Sequence, residues 1–364
     1  MNMQKVRVIA LYLPQFHPIP ENDLWWGKGF TEWTNVGKAK PLFRGHHQPR
    51  VPADLGYYDL RIPEIRQAQA DMAKEAGIEG FCYWHYWFGN GKRLLERPFN
   101  EVLASGKPDF PFCLAWANSS WEDKLFNKDG SKKILIKQTY PGEEDYINHF
   151  YTLLPAFCDR RYIQVEGKPL FMIYSYKEMP DPSSFIQLWN HLAIENGLKG
   201  VHFVAHTYDE REIKQIMQMG FDGVNIVRLF HFFRHDFSVI EKIYMKIMRL
   251  VFGKGRIIPY KRAMKYFSGQ EDFLEYCYPT LIPNWDHSPR SGRENHILVN
   301  STPELFLAHT REVLKTVEKK TDPNKLIFLK SWNEWAEGNY MEPDLKFGKE
   351  YLNVLKQALE EECV

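Results

Sequence analysis

Two carboxylates stand three residues apart in the run Trp332-Asn333-Glu334-Trp335-Ala336-Glu337-Gly338, near the end of a chain of 364 residues. On one turn of backbone, side chains at i and i+3 lie roughly 5–6 Å apart at Cβ. A pair of carboxyl groups so placed can divide the work of glycosidic bond cleavage. One donates a proton to the leaving oxygen while the other acts as nucleophile or base. The flanking Trp332 and Trp335 would partly desolvate one glutamate, raise its pKa and keep it protonated as the acid. The structural alternative is that Glu334 and Glu337 cap a turn or pair with basic neighbours. Asp286, in Trp285-Asp286-His287, is a third carboxylate. It would serve as a second acid/base, bind a sugar hydroxyl, or cap its own loop.

Around these stand residues suited to holding a sugar: Tyr12, Trp84, His85, Trp116, Asn118, Trp285, Asp286, Trp332, Asn333 and Trp335. Aromatic rings offer a flat apolar face with a polar edge, on which the C–H face of a sugar stacks. His85 would equally be a satisfied core histidine, and Asn118 and Asn333 equally suit turns. His17, His46 and His47 lack a metal-ligand pattern, so no metal and no cofactor is expected. Glu32, Asp54, Glu122 and Asp209 are carboxylates about which the sequence says little. Aromatic residues make up 15% of the chain, with 11 Trp and 19 Tyr, which raises sugar binding above what a core alone explains. A formal net charge of +1 argues against nucleic acid as a partner, since such domains carry a strong basic excess.

Eight short apolar runs can position these residues: 6–13, 80–88, 110–117, 169–174, 201–206, 223–227, 280–285 and 326–332. Helical patterns near 62–76, 143–158, 183–195, 210–219, 303–318 and 349–361 alternate with them. Continuous rather than alternating hydrophobicity describes a parallel sheet buried on both faces. A closed (β/α)8 TIM barrel over residues 1–364, a single catalytic domain with long loops after strands 1 and 6, accounts for the count best. An open doubly wound sheet is the alternative, weakened because no Gly-x-Gly-x-x-Gly follows the first strand. In such barrels the reactive groups gather at the C-terminal strand ends, and nearly every run ends in an aromatic, a histidine or an amide. Residues 14–61 read as a long ordered loop rather than a helix. Residues 240–252 read as a basic amphipathic helix, a solvated barrel-side helix or else a weak contact to an acidic membrane surface or lipid-linked glycan. Five scattered cysteines without a pairing framework, and an opening that enters a strand at once, point to a cytoplasmic or membrane-peripheral location.

Several stretches resemble one family. They are Ala10 to Asn22, Trp25-Trp26-Gly27-Lys28-Gly29-Phe30-Thr31-Glu32-Trp33, Gly80 to Phe88, Asn284-Trp285-Asp286-His287-Ser288-Pro289-Arg290, and Trp332 to Pro343. Together they resemble the WbsX proteins, which carry a glycoside hydrolase family 99-like domain and are often encoded among O-antigen or capsule genes. The resemblance implies a (β/α)8 barrel and a retaining, endo-acting hydrolase ancestry with α-mannosides as substrates of the better understood relatives. It implies that Glu334 assists the sugar's own 2-hydroxyl as it attacks C1. Glu337 would be general acid for the leaving group and then base for water. Three functions follow as expectations. The first is hydrolysis of an α-linked, mannose-containing oligo- or polysaccharide. The second is a glycosyltransferase or transglycosylase in lipopolysaccharide or capsule assembly, disfavoured because no diphosphate site is evident at the strand ends. The third is a noncatalytic glycan-binding barrel.

Overall fold

The computed structural model describes residues 6–123, 133–243, 247, 256–292 and 296–361. Eight strands form its centre: β1 Arg7–Tyr12, β2 Gly80–Trp87, β3 Phe112–Trp116, β4 Lys168–Ile173, β5 His202–Thr207, β6 Gly223–Ile226, β7 Cys277–Leu281 and β8 Leu326–Leu329. Each pairs in parallel with the next, and β8 pairs with β1 (Val8 opposite Ile327), so the sheet closes into the (β/α)8 barrel. The seventh strand sits three residues earlier than the hydrophobic run suggested. Pro283, which cannot donate to a ladder, and Trp285 lie past its end.

Helices lie around the barrel and within its loops: α1 Pro20–Trp26, α2 Glu32–Lys38, α3 Pro63–Glu75, α4 Arg97–Ser105, α5 Glu143–Phe157, α6 Pro182–Glu195, α7 Ile213–Gln218, α8 Ser288–Ser291, α9 Pro303–Val317 and α10 Glu350–Glu361. Their starts follow local chemistry. Proline opens α3, α6 and α9, where its missing N–H costs nothing. Asp181 caps α6 by accepting from Ser184 N at 3.0 Å, and Thr302 caps α9 through Leu305 N at 3.4 Å. The insertion after β1 is not purely loop, for α1 and α2 lie within it. Thr31 caps α2 and so fixes Glu32 as its first residue. Of the basic stretch 240–252, Ile240, Ile243 and Ile247 are exposed, and much of the remainder lies outside the described residues. Among the described residues no helix is long and apolar enough to cross a membrane.

Strand residues alternate between the barrel interior and the helical shell. On β2, Phe81 and Tyr83 pack outward against Tyr12, with Tyr83 reaching Phe99 of α4. Trp84 points across the interior, its ring 5.5 Å from that of Tyr174 after β4 and 6.4 Å from that of His206 on β5.

Candidate active site

The turn after β8 is stitched by its own side chains. Ser331 Oγ donates to Asn339 O (2.9 Å) and accepts from Glu334 N (3.2 Å). Asn333-Glu334 pairs antiparallel with Asn339-Tyr340, and Trp335–Glu337 between them makes one 3-10 turn. That turn ends at Gly338 with φ +58°, where a Cβ would stand 2.8 Å from Asp286 Cβ and 3.0 Å from Arg50 Cζ. Glycine is therefore required both by conformation and by space. The buried Asn333 side chain accepts from Leu13 N (2.7 Å) and donates to Leu13 O (3.0 Å), extending the β8–β1 ladder one rung past its end.

Glu334 and Glu337 meet on one guanidinium. Arg290, carried by α8, donates from Nη2 to Glu334 Oε2 (3.1 Å), from Nη1 to Glu337 Oε1 (2.5 Å) and from Nε to Glu32 Oε2 (3.1 Å). Lys330 Nζ stands 4.0 Å from Glu337 Oε2 and 5.5 Å from the Trp285 ring centroid, and His287 Nε2 is 3.7 Å from Glu337 Oε1. Burial and the neighbouring Glu337 push the Glu334 carboxyl up to about 7, against the pull of Arg290 and Lys330. Tyr86 is raised by burial and then by Glu334. Tyr208 is raised by burial and then by Glu337, and hydrogen-bonds to Tyr174. Burial, then Lys330, pushes His206 down to about 3, so it is a neutral ring at the cleft floor. The result is two coupled carboxyl groups among phenols, indoles and one lysine, an arrangement able to move a proton at neutral pH.

Of the places expected for Asp286, the structure shows the one that caps its own loop. Its Oδ2 accepts from His46 Nε2 (2.8 Å) and Gln48 Nε2 (2.7 Å), and its Oδ1 from Ser288 N (3.1 Å). These bonds, with Arg50 nearby, overcome burial and hold its carboxyl below the usual range. Both oxygens are occupied, and Asp286 N donates to Glu337 O at 2.6 Å. Asp286 is thus a buried strut beneath Glu337 rather than a hydroxyl ligand.

Other expected contacts divide by the parity of their strand. Trp84 and Trp285 belong to the interior group beside Tyr174, His206 and Lys330. Tyr12, His85 and Trp116 do not line the cleft. Tyr12 Oη donates to Gln69 of α3 (2.7 Å), His85 pairs with His149 of α5 (2.8 Å), and Trp116 packs on Phe185 of α6 while donating to Trp87 O (2.9 Å). Asn118 is fully buried and clamps Ser175, accepting from its N (2.7 Å) and donating to its O (2.9 Å), as Asn333 does for Leu13. Trp332 and Trp335 are buried behind the turn. Trp335 stacks on Tyr340 at 3.8 Å and donates to Glu342 Oε2 at 2.6 Å.

Arg290, Lys330, Tyr174 and Tyr208 complete the site without having been singled out, and so does Glu32, which the sequence names without a role. Arg290 sits four residues after Asp286, within a quoted motif, and Lys330 four before Glu334, in the last apolar run. Among the described residues, one group of ligand type outside the cleft comes together, Glu210, His231 and His235. Arg234 lies 3.6 Å from Glu210 Oε2 and Arg228 3.4 Å from His231 Nδ1, so cations already fill the space around it.

The fold is that of the GH99 endo-alpha-mannosidase from Bacteroides thetaiotaomicron, with TM-score 0.60 at 14% identity over 98% of this chain and 97% of that one. It also matches a structure described as a glycoside hydrolase-like protein, with TM-score 0.58 at 15% identity, over 99% and 95% of the two chains. Two curated relatives from strains of Xanthomonas campestris pv. campestris, each described as uncharacterized protein WxcX, are 35% identical over 360 residues. The alignment takes in 97% of this chain and 49% of theirs, so the chain spans about half the length of these relatives. A family model described as Glycosyltransferase WbsX matches residues 8–355, and the chain belongs to the WbsX family.

Proposed function

We propose that this protein is a retaining, endo-acting hydrolase of an α-linked, mannose-containing glycan, with Glu334 and Glu337 as its two working carboxyl groups. The observation that carries this is their convergence on Arg290 at the barrel mouth, with Glu334 raised to about 7. A base works best with a pKa near the working pH. In this scheme Glu334 takes the proton of the 2-hydroxyl as that oxygen attacks C1, while Glu337 protonates the leaving oxygen. Glu337 then deprotonates water, water opens the epoxide-like intermediate at C1, and Glu334 returns its proton to O2. Two displacements at C1 retain its configuration. The scheme needs the pair's single proton on Glu337 at the moment of cleavage, and so needs the glycan to draw Arg290 away from Glu337. The rings of Trp84, Tyr174 and Trp285 would form the sugar platform.

The family description favours a second reading, transfer of a sugar from an activated donor. The two readings separate in one experiment. Defined α-mannosides and the producing cell's polysaccharide are incubated with the protein, and product linkage and anomeric configuration are read by NMR. Hydrolysis predicts turnover that needs no nucleotide-sugar and survives a chelator. An absolute requirement for a UDP- or GDP-sugar would overturn it. Glu337→Gln should abolish turnover while glycan binding stays measurable, and full activity in that variant would remove the acid assignment.

A further inference from the structure

Behind the catalytic turn lies a second space, a cavity of about 240 Å³ between the insertion after β1, the segment after β7 and residues 338–351. Its walls carry Arg44, His47, Arg50 and Lys346. Arg44 and Lys346 are exposed and make no ion pair with any described carboxylate, whereas Arg50 is buried, stands 3.7 Å from Asp286 Oδ2, and keeps an Nε with no hydrogen-bond partner. The carboxylates in the same walls are already committed. Asp286 is filled by His46, Gln48 and Ser288 N. Asp344 accepts from Tyr340 Oη (2.6 Å), Phe347 N (2.7 Å) and Lys346 N (2.9 Å). Glu342 is pushed up to about 7 by burial among neutral donors, which leaves it short of a full negative charge at neutral pH. His47 registers the surplus, since after burial the largest influences lowering its pKa are Arg50 and Lys346. A concave, low-dielectric wall concentrates such a positive field, and guanidinium groups bind oxyanions by charge-assisted hydrogen bonds.

We propose that this cavity is a binding subsite for an anionic group, a phosphate or a carboxylate, carried by the glycan. Arg50 Nη1 donates to Gly338 O at 3.1 Å, so an anion held there rests one residue from Glu337. The site itself stands on the cavity and its charges, and only the identity of the group's carrier rests on the glycan-acting function proposed above.

The test is direct binding to the whole protein, free of any affinity tag, with inorganic phosphate, glucuronate and methyl α-mannoside as separate probes, followed by calorimetry or ³¹P NMR. Phosphate or glucuronate should saturate one site, with affinity falling as salt rises, and methyl α-mannoside should not compete. Phosphate alone would mark a phosphorylated glycan, and glucuronate alone an acidic sugar. The Arg44→Ala/Lys346→Ala double variant, two exposed changes whose folding a thermal melt checks, should bind at least about tenfold more weakly. Absence of saturable binding by either anion, or equal binding by the double variant, would overturn the subsite. Glu337→Gln should still bind the anion, so a failed subsite leaves the glutamate chemistry standing, and failed turnover leaves the subsite standing.

Discussion

Replacing Glu334 by Gln should make the protein more stable than its parent at alkaline pH, in step with the loss of turnover. Gln keeps the shape and an acceptor oxygen for Arg290 Nη2, but it carries no titrating proton. In the parent, the folded state holds the Glu334 proton up to about pH 7, whereas a free glutamate releases it near 4.5. Between those values the unfolded chain binds fewer protons than the folded one, so stability falls as pH rises through the window. The shift is about 2.5 pH units, and at about 1.36 kcal/mol per unit it amounts to roughly 3 kcal/mol. That stability is fully present below about pH 4.5 and gone above about pH 8. The assay is urea unfolding of parent and variant at pH 4.5 and 8, where the midpoint shift times the common slope gives the difference. The variant should gain roughly 3 kcal/mol on the parent between the two pH values. A parent-to-variant difference that stays constant from pH 4.5 to 8 would refute the placement of the proton on Glu334, and with it the use of this residue as a base near neutrality.

Other expectations follow from the same contacts. Arg290→Met strips the shared cation from three carboxylates, of which Glu32 and Glu334 are buried. Breaking such a pairing costs about 3–5 kcal/mol, and the loss should shrink at low pH where the carboxylates protonate; equal melts for variant and parent at pH 8 would contradict it. Gly338→Ala forces a left-handed conformation and a contact of 2.8 Å on Asp286 Cβ, expected to cost about 2–4 kcal/mol in denaturant unfolding. Asn333→Ala leaves Leu13 N and O unpaired in a buried place, costing about 2–4 kcal/mol; a change within error would show that water replaces the clamp.

The barrel was legible because parallel strands leave a coarse signal. Runs such as Gly80–Phe88 are apolar throughout and recur between helical segments opened by Pro63, Pro182 and Pro303. The same continuity hid the finer fact. In a strand buried on both faces, hydrophobicity does not say which parity points inward. Trp84 and His85 therefore looked equally fit for the cleft, although one crosses the barrel and the other pairs with His149 beneath α5. The carboxyl pair was legible because both members lie on one turn. Its counter-charge was not, because Arg290 arrives from the segment after β7, where it also holds Glu32 of the insertion after β1. The place of Asp286 was hidden for a related reason, since its hydrogen-bond partners His46 and Gln48 are some 240 positions away in sequence.

These cross-loop partners explain how the turn can hold its two carboxyl groups close without being pushed open by them. Its backbone is gripped from three sides: Asn333 on Leu13, Asp286 N on Glu337 O, and Arg50 on Gly338 O. Each grip uses a buried group that lies outside the carboxyl pair itself. The repulsion between Glu334 and Glu337 therefore cannot relax by moving the chain, and it adds to burial, the larger cause, in raising the pKa of the more buried member. A looser turn would let the glutamates separate and Glu334 return toward an ordinary carboxylate. Asn333→Ala should accordingly lower the pKa that governs turnover as well as stability, and a pH–rate profile of that variant checks the link. An unchanged acidic limb in a destabilised Asn333→Ala protein would show that burial alone, without a held turn, sets the proton on Glu334.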